Sequence, residues 1–302
     1  MVLEQKNESK KPEDRAIWNT PENAFDWSWP KVPRHQFLIE KDKAYDYDGK
    51  SILIPLDISS VLKTSYLATT PSILARYVRV NCKKEISHIL NASGEIYYVL
   101  DGEGSSENGN DIIRWSKGDV FCFPGGKETI HSSKSENSIL FLVTNEPLLS
   151  FEQLSPAAFK NNPNILASHW PHEKTVSFLE DRYKRPKTEQ TSGVAVLFST
   201  EETLPSRNTI PSINTSINTL EAGGDQRPHR HNGVAITLAI EGEKVYSMIE
   251  DQKIDWKSGV AQITPASELH SHHNRGSKRM MSFVVQDEGL HWYLRTTGFS
   301  WD

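Results

Sequence analysis

The chain repeats itself. Trp115-Ser-Lys-Gly118-Asp-Val-Phe-Cys-Phe-Pro124 and Trp256-Lys-Ser-Gly259-Val-Ala-Gln-Ile-Thr-Pro265 share the form W-x-x-G-x5-P, 141 residues apart (115 to 256). The same spacing takes His88 to His229 and His131 to His272, and the turn at Asp101-Gly102-Glu103 falls within one residue of Glu241-Gly242-Glu243. One offset shared by turns, a proline and histidines implies a duplicated unit, so both halves must adopt one architecture.

That unit is β-rich. Short runs of branched and aromatic residues separated by turn signals read as strands: SILIPL, ILARYVRV, EIYYVL, DVFCFP and SILFLV, then VAVLFST, TLAIEGEKVYSMI, VAQITP and MMSFVVQ. The expected layout is an N-terminal arm over 1–48, a first barrel over 49–150, a partly helical connector over 151–190 and a second barrel over 191–302. Within the connector, Ser155-Pro156 reads as a helix start, and His172 to Tyr183 as a polar helix closed by Pro186. The arm carries Trp18, Trp27 and Trp29, which are expected to lie against a domain or a partner subunit because exposed indoles form a costly apolar patch.

Charge narrows the partners. With 34 basic and 39 acidic residues among 302, the formal charge is −5, and no positive field exists to collect nucleic-acid or lipid phosphates. The N-terminus MVLEQKNESKKPEDR has no apolar core, and the densest apolar stretch, Ser138 to Val143, is far short of the ~20 residues that span a bilayer. The chain therefore reads as a soluble cytoplasmic protein with no nucleic-acid or membrane partner. Cys82 and Cys122, each inside a strand-like run, read as reduced, buried thiols.

Histidines concentrate in the second repeat. Gly223-x5-His229-Arg-His231 is answered by Gly259-x5-Pro265-x4-His270-Ser-His272-His273-Asn274. Residues i and i+2 of a strand face the same side, so His229 and His231 share one face, as do His270 and His272. Imidazole nitrogens from two facing strands suit iron, zinc, copper, nickel or cobalt. In the first repeat the corresponding positions are His88, Leu90, Glu95 and His131. The second histidine is lost there, so a metal-free barrel is expected, with a His88–Glu95–His131 site as the alternative.

The paired G-x5-H-x-H and G-x5-P-x4-H elements resemble the two motifs of the cupin superfamily, and their duplication resembles a bicupin. That resemblance implies an all-β fold of two tandem double-stranded β-helix, or jelly-roll, barrels. Pro228-His-Arg-His231 with Ala235, then Thr264-Pro265-x4-His270-x-His272-x-Asn274, is similar to gentisate 1,2-dioxygenase and its ring-cleaving relatives. Many cupins place a glutamate ligand four or five residues after the second histidine, where this chain has Ala235 and Ile236. The resemblance implies Fe(II), with Mn, Ni or Zn as alternatives, held by His229, His231 and His270. It implies His272 and Asn274 as catalytic groups beside the metal, and a small-molecule substrate cleaved with O2. It departs in one respect: the ring-cleaving enzymes carry their metal in the N-terminal cupin, whereas the complete motif here is in the C-terminal one.

A substrate carboxylate calls for a fork-shaped donor, and Arg227 and Arg295 are the candidates. Strand alternation turns Arg230 away from its histidine neighbours. Ile236, Leu238 and Met281 read either as pocket lining or as ordinary core. Related bicupins assemble as dimers or tetramers through N-terminal arms, which implies a homodimer or homotetramer. Two other functions stay open: another metal-dependent bicupin enzyme (decarboxylase, isomerase or dicarbonyl-cleaving enzyme), and a non-catalytic small-molecule-binding bicupin.

Overall fold

Both halves form the strands that their pattern implies, and nine strands of each match one for one. A computed structural model describes residues 10–24, 29–156, 162–186, 193–296 and 298–301. The first half contains β1 (Ile52–Pro55), β2 (Leu74–Asn81), β3 (Ile86–Ile89), β4 (Gly94–Asp101), β5 (Glu103–Asn108), β6 (Asp111–Ser116), β7 (Val120–Pro124), β8 (Glu128–Ser133), β9 (Asn137–Thr144) and β10 (Ser168–Trp170). The second contains β11 (Val194–Phe198), β12 (Asn214–Leu220), β13 (His229–His231), β14 (Ala235–Glu241), β15 (Val245–Ile249), β16 (Gln252–Asp255), β17 (Ala261–Thr264), β18 (His270–Asn274), β19 (Met280–Gln286) and β20 (Phe299–Trp301).

Sheet order displays the duplication. One sheet of the first barrel runs β1-β2-β9-β4-β7 and its facing sheet β3-β8-β5-β6; the second barrel repeats these as β11-β12-β19-β14-β17 and β13-β18-β15-β16. Each barrel adds one strand, β10 beside β7 and β20 beside β13. The turn glycines of the W-x-x-G motif both need positive φ, +91° at Gly118 and +76° at Gly259, a region that favours glycine. A Cβ at Gly118 would also meet His172 Nδ1 at 2.4 Å.

The barrels pack through their β2- and β12-containing sheets. Tyr98 stacks on Phe283 at 5.3 Å, and Tyr77 donates through its hydroxyl to Gly259 O at 2.7 Å while accepting from the Ala261 amide. Ile236 and Leu238 are buried in this shared core and Met281 packs on it, so these three are core residues.

The arm pairs with its own chain's second barrel. Phe37 donates to Ala261 O and Ile263 donates to His35 O, so residues 35–37 run beside β17 as β10 runs beside β7. Arg34 anchors this segment on Glu268 at 2.6 Å. Further upstream the expectation of covered tryptophans is not met within the monomer: Trp18 is 81% and Trp29 61% exposed, and Trp27 lies outside the described residues.

The connector forms its helix over His172–Tyr183. A shorter helix covers Glu146–Glu152, and the helix expected from Ser155-Pro156 falls on residues 157–161, outside the described ones. Both cysteines are free. Cys122 is buried, but Cys82 is exposed, correcting the expectation for it, because β2 ends at Asn81 and the chain turns outward there. No described helix is long and apolar enough to cross a membrane.

Candidate metal centre

Three imidazoles meet where β13 and β18 pair. His229 stands directly opposite His270, and His231 lies two residues along the same face. One ring nitrogen from each of His229, His231 and His270 lies within 4.8 Å of the others, and all three side chains are buried. Among the described residues no other histidine, cysteine or acidic group of three does this.

The tautomers follow from the hydrogen bonds. Each ring donates its Nδ1–H to a backbone carbonyl two residues away: His229 to Arg227 O at 3.0 Å, His231 to Gly233 O at 2.7 Å and His270 to Glu268 O at 2.9 Å. With the proton fixed on Nδ1, each Nε2 is unprotonated, the arrangement in which histidines ligate metals; on His231 that lone pair accepts from Gln286 Nε2 at 3.1 Å. Burial pushes His229 below its ordinary value, His231 down to about 4 and His270 down to about 2, with neighbouring imidazoles adding to the shift. All three are therefore neutral at pH 7, and little proton competition opposes a cation. Three neutral donors fit a divalent transition metal.

His272 has the opposite tautomer. Ser247 Oγ accepts from Trp256 Nε1 at 2.8 Å and from Gln262 Nε2 at 3.0 Å, which fills both lone pairs. Its own proton then goes to His272 Nδ1, 2.9 Å away, leaving the hydrogen of His272 on Nε2. His272 is thus a donor rather than a ligand, and burial holds it down to about 3, so it stays neutral. The same Trp–Ser–His arrangement recurs as Trp115, Ser106 and His131 in the first barrel.

Register identifies what the first barrel has instead of a triad. His88 opposes Thr129 as His229 opposes His270, so Thr129 stands where the third histidine would be, and Leu90 where the second would be. Glu95, paired with Phe123 and Thr144, corresponds to Ala235, paired with Thr264 and Gln286. Glu95 Oε2 accepts from Tyr97 and Thr129, each at 2.7 Å, and lies 3.3 Å from His88 Nε2. His88, Glu95 and His131 form no ligand group among the described residues.

The two interiors are filled differently. In the first barrel Tyr97 stacks on Phe121 at 4.6 Å with planes 12° apart, Phe123 meets the same ring, and all three are fully buried. At the matching positions the second barrel has Thr237, Gln262 and Thr264. Three rings give way to smaller polar side chains at these positions.

A feature the sequence reading missed is the C-terminal strand. β20 pairs with β13, setting Trp301 opposite His229 and Phe299 opposite His231. Phe299 stacks on His229 at 5.0 Å, Trp301 meets it edge-on at 5.8 Å, and the Arg227 guanidinium lies 5.1 Å over the Trp301 ring. A three-residue strand has too few positions to show a period. The alternating aromatics of Phe-Ser-Trp were the only available signal.

The other candidates are dispersed. Arg295 lines a separate groove of about 690 Å³ with Arg207, Trp292 and Tyr293, and none of the three histidines lines it. Asn274 is fully buried, and its amide donates to the carbonyls of Leu220, Glu221 and Lys278, closing that end of the barrel. Arg230 points outward to Glu250 and Ser267 O. His273 also points outward, between Asp225 and the ring of Tyr246.

The family described as "Cupin domain" matches residues 216–286, the segment that carries the triad. Salicylate 1,2-dioxygenase from Pseudaminobacter salicylatoxidans superposes with TM-score 0.76 at 13% identity, covering 96% of this chain and 95% of that one. The fold is that of a bicupin, two cupin barrels in tandem. A variant of the same dioxygenase in complex with gentisate gives TM-score 0.76 at 14% identity, covering 100% of this bicupin and 98% of that chain. A cupin 2 conserved barrel domain protein from Leptotrichia buccalis matches at TM-score 0.52 and 12% identity over 85% of this bicupin and 99% of that chain. At these identities the likeness is one of fold. No curated protein matches this bicupin by sequence.

Proposed function

We propose that this bicupin is a mononuclear Fe(II) dioxygenase that cleaves a carbon–carbon bond of a hydroxylated aromatic acid, or a similarly chelating small molecule, with O2. The observation that carries the reading is the cluster of three unprotonated Nε2 atoms in a barrel that has Thr237, Gln262 and Thr264 where its twin has three rings. His229, His231 and His270 would hold the metal, and residues 49–150 would form a packing barrel without one. Bound by three neutral ligands, Fe(II) supplies a doubly positive centre with open positions for a chelating substrate and O2.

The chain's own groups do the rest. Ala235 leaves the glutamate position empty, so no carboxylate at that position offsets the metal charge or takes up an open position. His272 presents an Nε2–H that stabilises negative charge developing on oxygen, and Ser247 holds that tautomer. Asn274 fixes the end of β18 and so aims His272. Arg227, beside Trp301 and Phe299 next to His229, is better placed than Arg295 to meet a substrate carboxylate. The exposure of Ile17, Trp18 and Trp29 supports a homo-oligomer joined through the arm.

The deciding experiment is anaerobic metal analysis of the wild type and His229→Ala, followed by Fe(II) reconstitution and O2 uptake with gentisate, salicylate and related hydroxy-acids. About one iron per chain, lost in the variant, with substrate-dependent O2 uptake is the expected result. Metal content unchanged by the variant, or retention of Mn, Ni or Zn with no O2 consumed, would overturn the dioxygenase reading in favour of another bicupin chemistry.

A further inference from the structure

Asn214, Gln286, Ala235 and Thr264 stand in one line across β12, β19, β14 and β17, each directly opposite the next. Directly opposed residues of antiparallel strands share a face. That face looks at the histidines, because Gln286 Nε2 lies 3.1 Å from His231 Nε2. As the proton of His231 is on Nδ1, the amide of Gln286 donates to the same bare lone pair that a metal would take.

Two further atoms in the line lack partners. Asn214 Oδ1 and Thr264 Oγ1 are buried without a hydrogen bond, in side chains 5% and 1% exposed. Asn214 also hydrogen-bonds the Glu288 carboxyl, an acceptor, through its amide N–H, which leaves its oxygen as the free end. Buried polar atoms are nearly always satisfied, so these two mark where a ligand or water completes the site.

The twin barrel serves as an internal control. Its equivalent line is Leu74, Thr144, Glu95 and Phe123, with Glu95 Oε2 receiving hydrogen bonds from Tyr97 and Thr129 and Glu95 Oε1 buried without a partner, so the contrast between the barrels lies in residue type and charge along the line. In the second barrel the carboxylate is gone and three neutral polar groups have replaced Leu74, Thr144 and Phe123.

We propose that Asn214, Gln286 and Thr264 form the recognition row for the oxygen ligand of the metal centre, selecting a hydroxy-carboxylate. The inference rests on the metal reading above. Gln286 leaves His231 when the metal enters and turns its N–H to an anionic oxygen of the ligand. Thr264 donates to the same anion, and Asn214 Oδ1 accepts a hydroxyl proton from the ligand. A neutral row keeps the charge of the metal available to attract that anion, which a glutamate at Ala235 would oppose.

The test uses the full chain loaded with Co(II), with salicylate as the probe, read by visible absorption, so no turnover is needed. Gln286→Leu, Thr264→Val and Asn214→Leu are each expected to bind one Co(II) per chain, with Gln286→Leu binding it at least as tightly as wild type. Gln286→Leu and Thr264→Val should each weaken salicylate about tenfold, one hydrogen bond to an anion, and Asn214→Leu about fivefold, one neutral hydrogen bond. Gln286→Glu, which returns a carboxylate to the row, should tighten Co(II), shift its spectrum and weaken salicylate further. Salicylate affinity within twofold of wild type in Co(II)-loaded Gln286→Leu and Thr264→Val overturns the row, as does a Co(II)-loaded wild type that binds no salicylate. If Asn214→Leu fails to fold, the other two variants decide. A wild type that takes up no Co(II) instead defeats the metal reading itself, which separates the two failures.

Discussion

Replacing Ser247 with alanine tests the assignment of the His272 proton. The hydroxyl is fully buried and serves three partners, Trp256 Nε1, Gln262 Nε2 and His272 Nδ1, at 2.8, 3.0 and 2.9 Å. Its loss leaves three buried polar groups unpaired, each costing about 1–3 kcal/mol. A cavity of about 30 Å³ beside His272 and Gln226 has room for roughly one water, which would re-pair part of the set. The expected cost is therefore about 3 kcal/mol, near the low end of the sum. Ser106→Ala in the first barrel orphans two partners, Trp115 and His131, and should cost about 2 kcal/mol by the same rule. Urea unfolding of the metal-free protein, followed by tryptophan fluorescence, measures both as shifts in midpoint. Metal stoichiometry should stay at one per chain in Ser247→Ala, because no ligand atom is removed. A Ser247→Ala cost below about 0.5 kcal/mol, or below that of Ser106→Ala, would refute the three-partner assignment.

Acidification should destabilise the metal-free protein. Burial sets the folded values of His231, His270 and His272 at about 4, 2 and 3, below the ordinary value of about 6.5, so the unfolded chain binds more protons. Stability is full above pH 6.5 and falls as pH drops towards 4; at pH 5 each histidine contributes a loss of up to about 2 kcal/mol, and a flat profile in denaturant titrations at pH 7 and 5 would exclude the buried neutral state. Phe299→Ala removes the ring stacked on His229 and should weaken Co(II) binding by up to about tenfold, read by competition with a chelator; unchanged affinity would mean that β20 does not support the ligand. Phe123→Ala in the first barrel should cost about 3–5 kcal/mol in urea while leaving metal content at one per chain, whereas a loss of metal would contradict the independence of the two interiors.

The duplication was legible because turns, glycines and motif histidines keep fixed places in the chain, and the triad was legible because H-x-H alternation fixes which side chains share a face. Other features depend on what lies across the sheet. Thr264, Gln286 and Asn214 look like ordinary strand residues in sequence, and only register brings them into one line facing His231. His270 and His272 look equivalent by spacing, and their opposite tautomers emerge from a carbonyl at Glu268 and a hydroxyl at Ser247. Trp18 and Trp29 were expected to lie against a domain or a partner subunit, and within the monomer both stay exposed, whereas the arm packs on its own chain from Val32 and Arg34 onward.

That docked segment sets an order on the making of the protein. Gln36 bonds to Gln262 across 226 residues of chain, so the arm leaves the ribosome long before the strand it borders exists. At roughly 5–20 residues per second it waits on the order of ten to forty seconds without its partner. Contacts of such sequence separation form late. A stretch made early is thus among the last to settle, because its docking waits on β17.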